Sequence, residues 1–141
     1  MVIDASVWVA AFLAHDVHHR DAAILLRRLI EEGVTVATPL LALSEVAGAI
    51  ARQTDDAKLA EKITIFLHAQ LWIQFVPLTD DLAIEAAAAA ARQRLRGADA
   101  VYVALAVQRT LTLVTLDREM LERTKKIVTS VTPTAWLKQH G

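Results

Sequence analysis

Five short runs of aliphatic and β-branched residues, at positions 2–3, 34–37, 73–76, 112–115 and 127–129, are separated by stretches of helical character. That alternation constrains the fold more than any other feature of the chain. Strands joined through helices cannot pair as tight hairpins and instead return parallel, because a parallel neighbour needs a crossover of a dozen or more residues. Runs such as Val34-Thr35-Val36-Ala37 show no polar alternation, as befits strands covered on both faces. The expected architecture is α/β: a three-layer α/β/α sandwich around a parallel sheet of four to five strands, with residues 1–141 forming one domain.

The intervening segments carry their own start and stop signals. Asp4-Ala5-Ser6 offers capping oxygens before an apolar helix over 7–13, and Gly33 stops a helix over 21–30. Pro39 sits where a helix over 40–52 can begin, and another amphipathic helix covers 57–71. Pro77 closes the third run, Asp80 caps an alanine-rich helix over 82–94, and Gly97 breaks it before a helix over 98–108. Short helices over 117–123 and 133–138 complete the reading. No linker or internal repeat interrupts the pattern.

Composition removes several classes of function. Without a cysteine there is no disulfide, thiolate zinc site or cysteine nucleophile. The residues are 55% hydrophobic, yet no apolar run of spanning length is free of charge, which argues against a membrane helix. The opening Met1-Val2-Ile3-Asp4 has no basic segment followed by an apolar core, so a cytoplasmic protein without a signal peptide is expected. A net charge of -1 means that a polyanionic partner must be drawn by a local patch.

Four acids then stand out. Asp4 and Asp117 each follow a strand-like run, Asp99 opens an apolar helix, and Glu45 is the sole charge between Pro39 and Ile50. Each has an ordinary reading: Asp4 and Asp117 as N-caps, Asp99 as a favourable charge near a helix N-terminus, Glu45 as a solvated helix residue. Jointly they point elsewhere. Side chains just past the carboxyl ends of parallel strands converge in one crevice. Like charges about 4 Å apart at an effective dielectric near 20 repel by roughly 4 kcal/mol, which a hard divalent cation with oxygen ligands offsets.

The segments Val2-Ile3-Asp4-Ala5-Ser6-Val7-Trp8-Val9, Leu43-Ser44-Glu45-Val46, Gly97-Ala98-Asp99-Ala100-Val101-Tyr102-Val103-Ala104-Leu105-Ala106 and Leu113-Val114-Thr115-Leu116-Asp117 resemble, in order and content, the PIN-domain ribonucleases, and the chain as a whole looks most like a VapC-type toxin. The resemblance implies that Asp4, Glu45, Asp99 and Asp117 form a Mg²⁺ or Mn²⁺ site, supported by the hydroxyls of Ser6 and Thr115. It further implies RNA hydrolysis, a homodimer, and an antitoxin protein that covers the active-site groove. Glu119 falls where some members carry an additional acid. The chemistry agrees: carboxylate-held metal ions lower the pKa of bound water and place it for in-line attack on phosphorus, giving 5′-phosphate and 3′-hydroxyl ends.

Other residues compete for roles. His15, His18 and His19 have spacing compatible with metal ligation or acid–base work, against the plainer reading of a polar connection before a helix. His68 reads as a helix-face residue and His140 as part of a frayed terminus. Arg92, Arg94 and Arg96 lead into Asp99, and Lys125 and Lys126 follow the Asp117 helix, so both groups are candidates for phosphate contact and equally for solvated faces. Ile63, Ile65, Phe66, Leu67, Leu71 and Trp72 exceed what one helix face needs, pointing to an interface as well as a core. A non-catalytic PIN-like module that binds RNA or protein is the alternative. A phosphoacceptor receiver domain fits less well, since it needs paired acids after its first strand and Asp4 is followed by Ala5.

Overall fold

The computed structural model describes residues 1–141. Strands β1 (Val2–Ile3), β2 (Val36–Pro39), β3 (Ile73–Val76), β4 (Leu113–Val114) and β5 (Ser130–Val131) alternate with eight helices. These are α1 (Ala5–Phe12), α2 (His19–Glu31), α3 (Ala42–Thr54), α4 (Ala57–His68), α5 (Asp80–Gln93), α6 (Gly97–Gln108), α7 (Arg118–Thr124) and α8 (Pro133–Gln139). All strand pairs are parallel, in the order β3-β2-β1-β4-β5. The α/β architecture anticipated from the alternating runs is therefore present, with five strands flanked by helices.

Strand order matters more for function than strand count. From β1 the chain builds outward through β2 to β3, then returns to the other side of β1 to lay down β4 and β5. The crevice between the carboxyl ends of β1 and β4 is thus the topological switch point, where open α/β sheets bind ligands. The register pairs Val2 with Leu113 and Ile3 with Val114, so the residues that follow, Asp4 and Thr115, emerge side by side.

Burial accounts for the apolar composition. Val2, Ile3, Leu113 and Val114 are fully buried, as central parallel strands require. Helix α6 packs across β1, β2 and β4, and its residues 100–106 are all buried. Helix α1 packs against α2 and α3, placing Trp8 beside Trp72 with ring centroids 5.8 Å apart. No helix is long and apolar enough to cross a membrane.

Several boundaries differ from the sequence reading, each for a local reason. The last strand is Ser130–Val131, not 127–129, because the amides of Ile127 and Val128 still bond back to the Thr124 carbonyl and prolong the end of α7. Pro39 closes β2 instead of opening a helix, and α3 begins at Ala42. The helix expected to run to residue 71 ends at His68, leaving Leu71 fully exposed. Thr79, not Asp80, caps α5 by accepting the Leu82 amide, and α2 starts at His19, which draws that histidine out of the connection.

Candidate metal centre and adjoining cleft

Asp4 is held by the two strand ends on either side of the switch point. Its Oδ2 accepts from the Ser6 amide at 3.3 Å, the Ser6 hydroxyl at 2.5 Å and the Thr115 hydroxyl at 2.9 Å. Oδ1 has no protein donor. The same hydroxyls accept in turn, Ser6 Oγ from the Leu116 amide at 3.1 Å and Thr115 Oγ1 from the Asp117 amide at 3.0 Å. Ser6 and Thr115 therefore weld the ends of β1 and β4 together and orient the carboxylate between them.

The other three acids arrive from three helices. Asp117 is the N-cap of α7: Oδ1 accepts the Met120 amide at 2.9 Å, as its capping reading anticipated. Asp99, in the first turn of α6, and Glu45, in the first turn of α3, are partly buried. Tyr102 lies one turn beyond Asp99 on α6 and donates its hydroxyl to Glu45 Oε1 at 2.6 Å. Burial and the neighbouring acids push the Tyr102 pKa well up, so it stays a donor. The sequence reading did not single out Tyr102, although its place three residues after Asp99 put both on one helix face.

Charge is crowded here. Burial, offset by the Ser6 and Thr115 hydrogen bonds and reinforced by Asp99, holds the Asp4 carboxyl above its ordinary range. Glu45 is raised by burial, against the Tyr102 hydrogen bond, with Asp4 and Asp99 adding repulsion. Asp99 is raised by burial too, with Asp117 and Glu119 opposing the relief that Arg96 provides. A cation already answers this repulsion. Arg96 Nε binds Asp99 Oδ2 and its Nη2 binds Asp117 Oδ2, both at 2.9 Å.

With the guanidinium in that place, no three acids converge on a single ligating point. The donor set nonetheless fits a hard divalent ion. Asp4, Glu45 and Asp99 each have one oxygen engaged by the protein and one free of protein donors, every donor atom is oxygen, and an organic cation bridges two of the acids.

The remaining candidates scatter. Glu119 pairs with Arg123 on α7. Arg94 occupies the left-handed position that ends α5, and its carbonyl accepts from Arg123. Arg92 lines an outer hollow with Glu85, Ala104 and Ile127, away from the acids. Lys125 and Lys126 border an open hollow with Thr129 and Ser130, at the amino end of β5 and opposite the crevice. Among the basic residues named from sequence, Arg96 alone is joined to the acids.

The histidines divide. His15 is exposed, and the His19 ring donates to the Ala10 carbonyl at 2.9 Å, tying α2 to α1. His68 packs against Phe75 and His140 stacks on Trp136. His18 lies in the turn that Asp16 stabilises by accepting its amide at 2.7 Å. That turn, with α1 and α3, walls a cavity of about 520 Å³ whose lining includes Ser6, Glu45, His18, Arg52 and Gln53. A separate, apolar groove of about 460 Å³ between α1, α2 and α4 is lined by Trp8, Phe12, Leu26, Ile30, Phe66 and Trp72.

Comparison with known proteins places the fold. The family profile of the PIN domain matches residues 1–127. Among solved structures, the chain resembles VapC20 of Mycobacterium tuberculosis, a sarcin-ricin loop cleaving toxin, at 20% identity and a TM-score of 0.72, covering 86% of this chain and 92% of that one. It resembles FitAcB from Neisseria gonorrhoeae at 18% identity and a TM-score of 0.71, covering 94% and 97%. A toxin-antitoxin complex from Klebsiella pneumoniae matches at 19% identity and a TM-score of 0.66, covering 94% and 96%. No curated protein sequence matches the chain significantly.

Proposed function

This chain belongs to the PIN-domain family, and we propose that it is a divalent-metal-dependent endoribonuclease acting as the toxin of a toxin–antitoxin pair in the cytoplasm. The observation that carries the reading is that Asp4, Glu45 and Asp99 lie close enough to raise one another's pKa values, each with one oxygen fixed and one free, beside Asp117 at the switch point. Such a crevice favours Mg²⁺ or Mn²⁺ over softer ions. Bound there, the ion supplies an activated water and neutralises charge developing on the phosphate oxygens.

The residues divide that work. Asp4 and Asp99 hold the metal, Asp117 holds it directly or through water, and Glu45 binds it or orients the attacking water. Ser6 and Thr115 fix Asp4 in a single orientation, and Tyr102 does the same for Glu45. Arg96 offsets the charge of Asp99 and Asp117, a task that a bound divalent ion would share. Water as nucleophile leaves 5′-phosphate and 3′-hydroxyl ends.

Two partners complete the reading. The apolar groove between α1, α2 and α4, with Phe66 56% exposed at its edge, supports a protein interface, which we assign to the antitoxin. A homodimer is the expected state, and sedimentation as a monomer at micromolar concentration contradicts it. The nuclease reading is tested by incubating a mixed RNA pool with the protein and Mg²⁺ or Mn²⁺. Cuts bearing 5′-phosphate that EDTA abolishes support it; cyclic-phosphate ends, or binding of RNA without cleavage by metal-loaded protein, contradict it.

A further inference from the structure

The cavity beside the acids raises a question of charge. A phosphodiester entering the crevice meets four carboxylates, and Arg96 is already committed to two of them. One further guanidinium lines the cavity. Arg52 stands two turns along α3 from Glu45, on the same helix face, and its side chain is in no ion pair or hydrogen bond. Its side chain does not extend away from the site. A Cβ added to Gly48 would lie 3.0 Å from Arg52 Nη1, so the guanidinium is folded back over that glycine toward the Glu45 end of the helix.

We propose that Arg52, laid back across Gly48, grips a phosphate of single-stranded RNA next to the one that is cleaved, and that His18 and Gln53 border the attached nucleoside. The inference rests on the nuclease reading above. Gly48 is three residues from Glu45, about 4.5 Å along the helix axis, so a guanidinium resting over it lies a short step beyond the acids. Ala5, Val9, Ala49 and Leu116 supply apolar lining to the same cavity, which suits the face of a base. A guanidinium with no carboxylate partner is free to bind phosphate bidentately. Gly48 has a defined purpose here: it carries helical φ and leaves room for the Arg52 side chain to lie flat.

The test is fluorescence anisotropy with an end-labelled single-stranded RNA pool, in Mg²⁺, on protein carrying Asp99→Asn to prevent turnover. Adding Arg52→Ala weakens binding roughly threefold to tenfold and reduces the slope of log K against log salt by about 0.7, the value for one phosphate on a single strand. Arg52→Lys retains the slope. Gly48→Ala, which takes the resting place of the guanidinium, weakens binding less and raises the melting temperature, since alanine replaces glycine inside a helix. Mn²⁺ affinity, read by electron paramagnetic resonance in the otherwise wild-type protein, stays unchanged in Arg52→Ala, which separates loss of a phosphate contact from collapse of the site. Unchanged affinity and salt slope in Arg52→Ala overturn the assignment while leaving the nuclease reading intact. Absence of any RNA binding when Arg52 is present removes both.

Discussion

At the carboxyl ends of β1 and β4, Asp4, Ser6, Thr115 and Asp117 share one hydrogen-bonded network, whereas at the amino end of the same sheet Lys125 and Lys126 flank an open hollow, with Glu122 pairing only Lys125. One short helix, α7, separates the two regions in sequence, and it carries the chain from one end of the sheet to the other. The contrast shows that in a parallel sheet proximity along the chain says little about proximity in space: the strand end decides. Acids beyond strand carboxyl ends meet, and cations one helix later are carried away.

The strongest challenge to that contrast is removal of the acids. Asp4→Asn and Asp99→Asn are each expected to lower metal-dependent RNA cleavage by at least about 100-fold with the circular dichroism spectrum unchanged, since each would take away a charged ligand of the proposed metal site. Retained cleavage in either variant would break the assignment of that end of the sheet as the reactive one. Next comes Thr115→Val, which removes a donor to Asp4 and an acceptor for the Asp117 amide. Calorimetry should show a loss of roughly 1–2 kcal/mol in stability, and Mn²⁺ titration roughly a 10-fold to 100-fold weaker affinity.

Proton linkage sets the crevice apart as well. Asp4, Glu45 and Asp99 all have raised pKa values in the fold, above the ordinary 3.8 for aspartate and 4.5 for glutamate. They bind protons more tightly folded than unfolded, so their contribution to stability is complete below the ordinary values and is lost as pH rises through the raised ones. Metal-free protein should therefore melt at a lower temperature at pH 7.5 than at pH 5. Saturating Mg²⁺ should reduce the gap, and Asp4→Asn should shrink it. A gap that Mg²⁺ and Asp4→Asn both leave untouched would place its origin outside the crevice.

Smaller effects remain. Arg96→Gln removes the cation that competes for Asp99 and Asp117, and because Arg96 is largely exposed, Mn²⁺ binding should tighten only about two- to fivefold. Lys125→Ala and Lys126→Ala should alter cleavage by less than about twofold at 0.15 M salt, where charges beyond roughly 8 Å are screened. A large loss there would show that the amino end of the sheet also meets the RNA.

Much of the fold was legible because its signal is periodic. Val2-Ile3 and Ile73-Gln74-Phe75-Val76 read as strands and are strands, and the helix over 98–108 is recovered to within one residue. Boundaries were lost where a local hydrogen bond outweighed propensity. The apolar Ile127-Val128 pair reads as strand, but its amides are held by the Thr124 carbonyl, and pairing starts only at Ser130.

Within the site, residue identities were more legible than their connections. The four acids stood out by their positions after strands and at helix starts. The Tyr102 hydroxyl on Glu45 and the Arg96 bridge between Asp99 and Asp117 depend on side-chain direction across elements 57 and 21 residues apart in sequence, which composition does not encode. Arg52 had a weak signal, lying seven residues after Glu45 on one helix face, and only the cavity gives that spacing meaning.

Mn²⁺ titration followed by electron paramagnetic resonance tests most directly whether the strand-end acids bind a divalent metal, without any knowledge of the RNA target. Saturable binding to wild-type protein is expected, in competition with Mg²⁺ and at least about 10-fold weaker in both Asp4→Asn and Asp99→Asn. Equal Mn²⁺ affinity in the wild type and both variants would contradict metal binding by these acids.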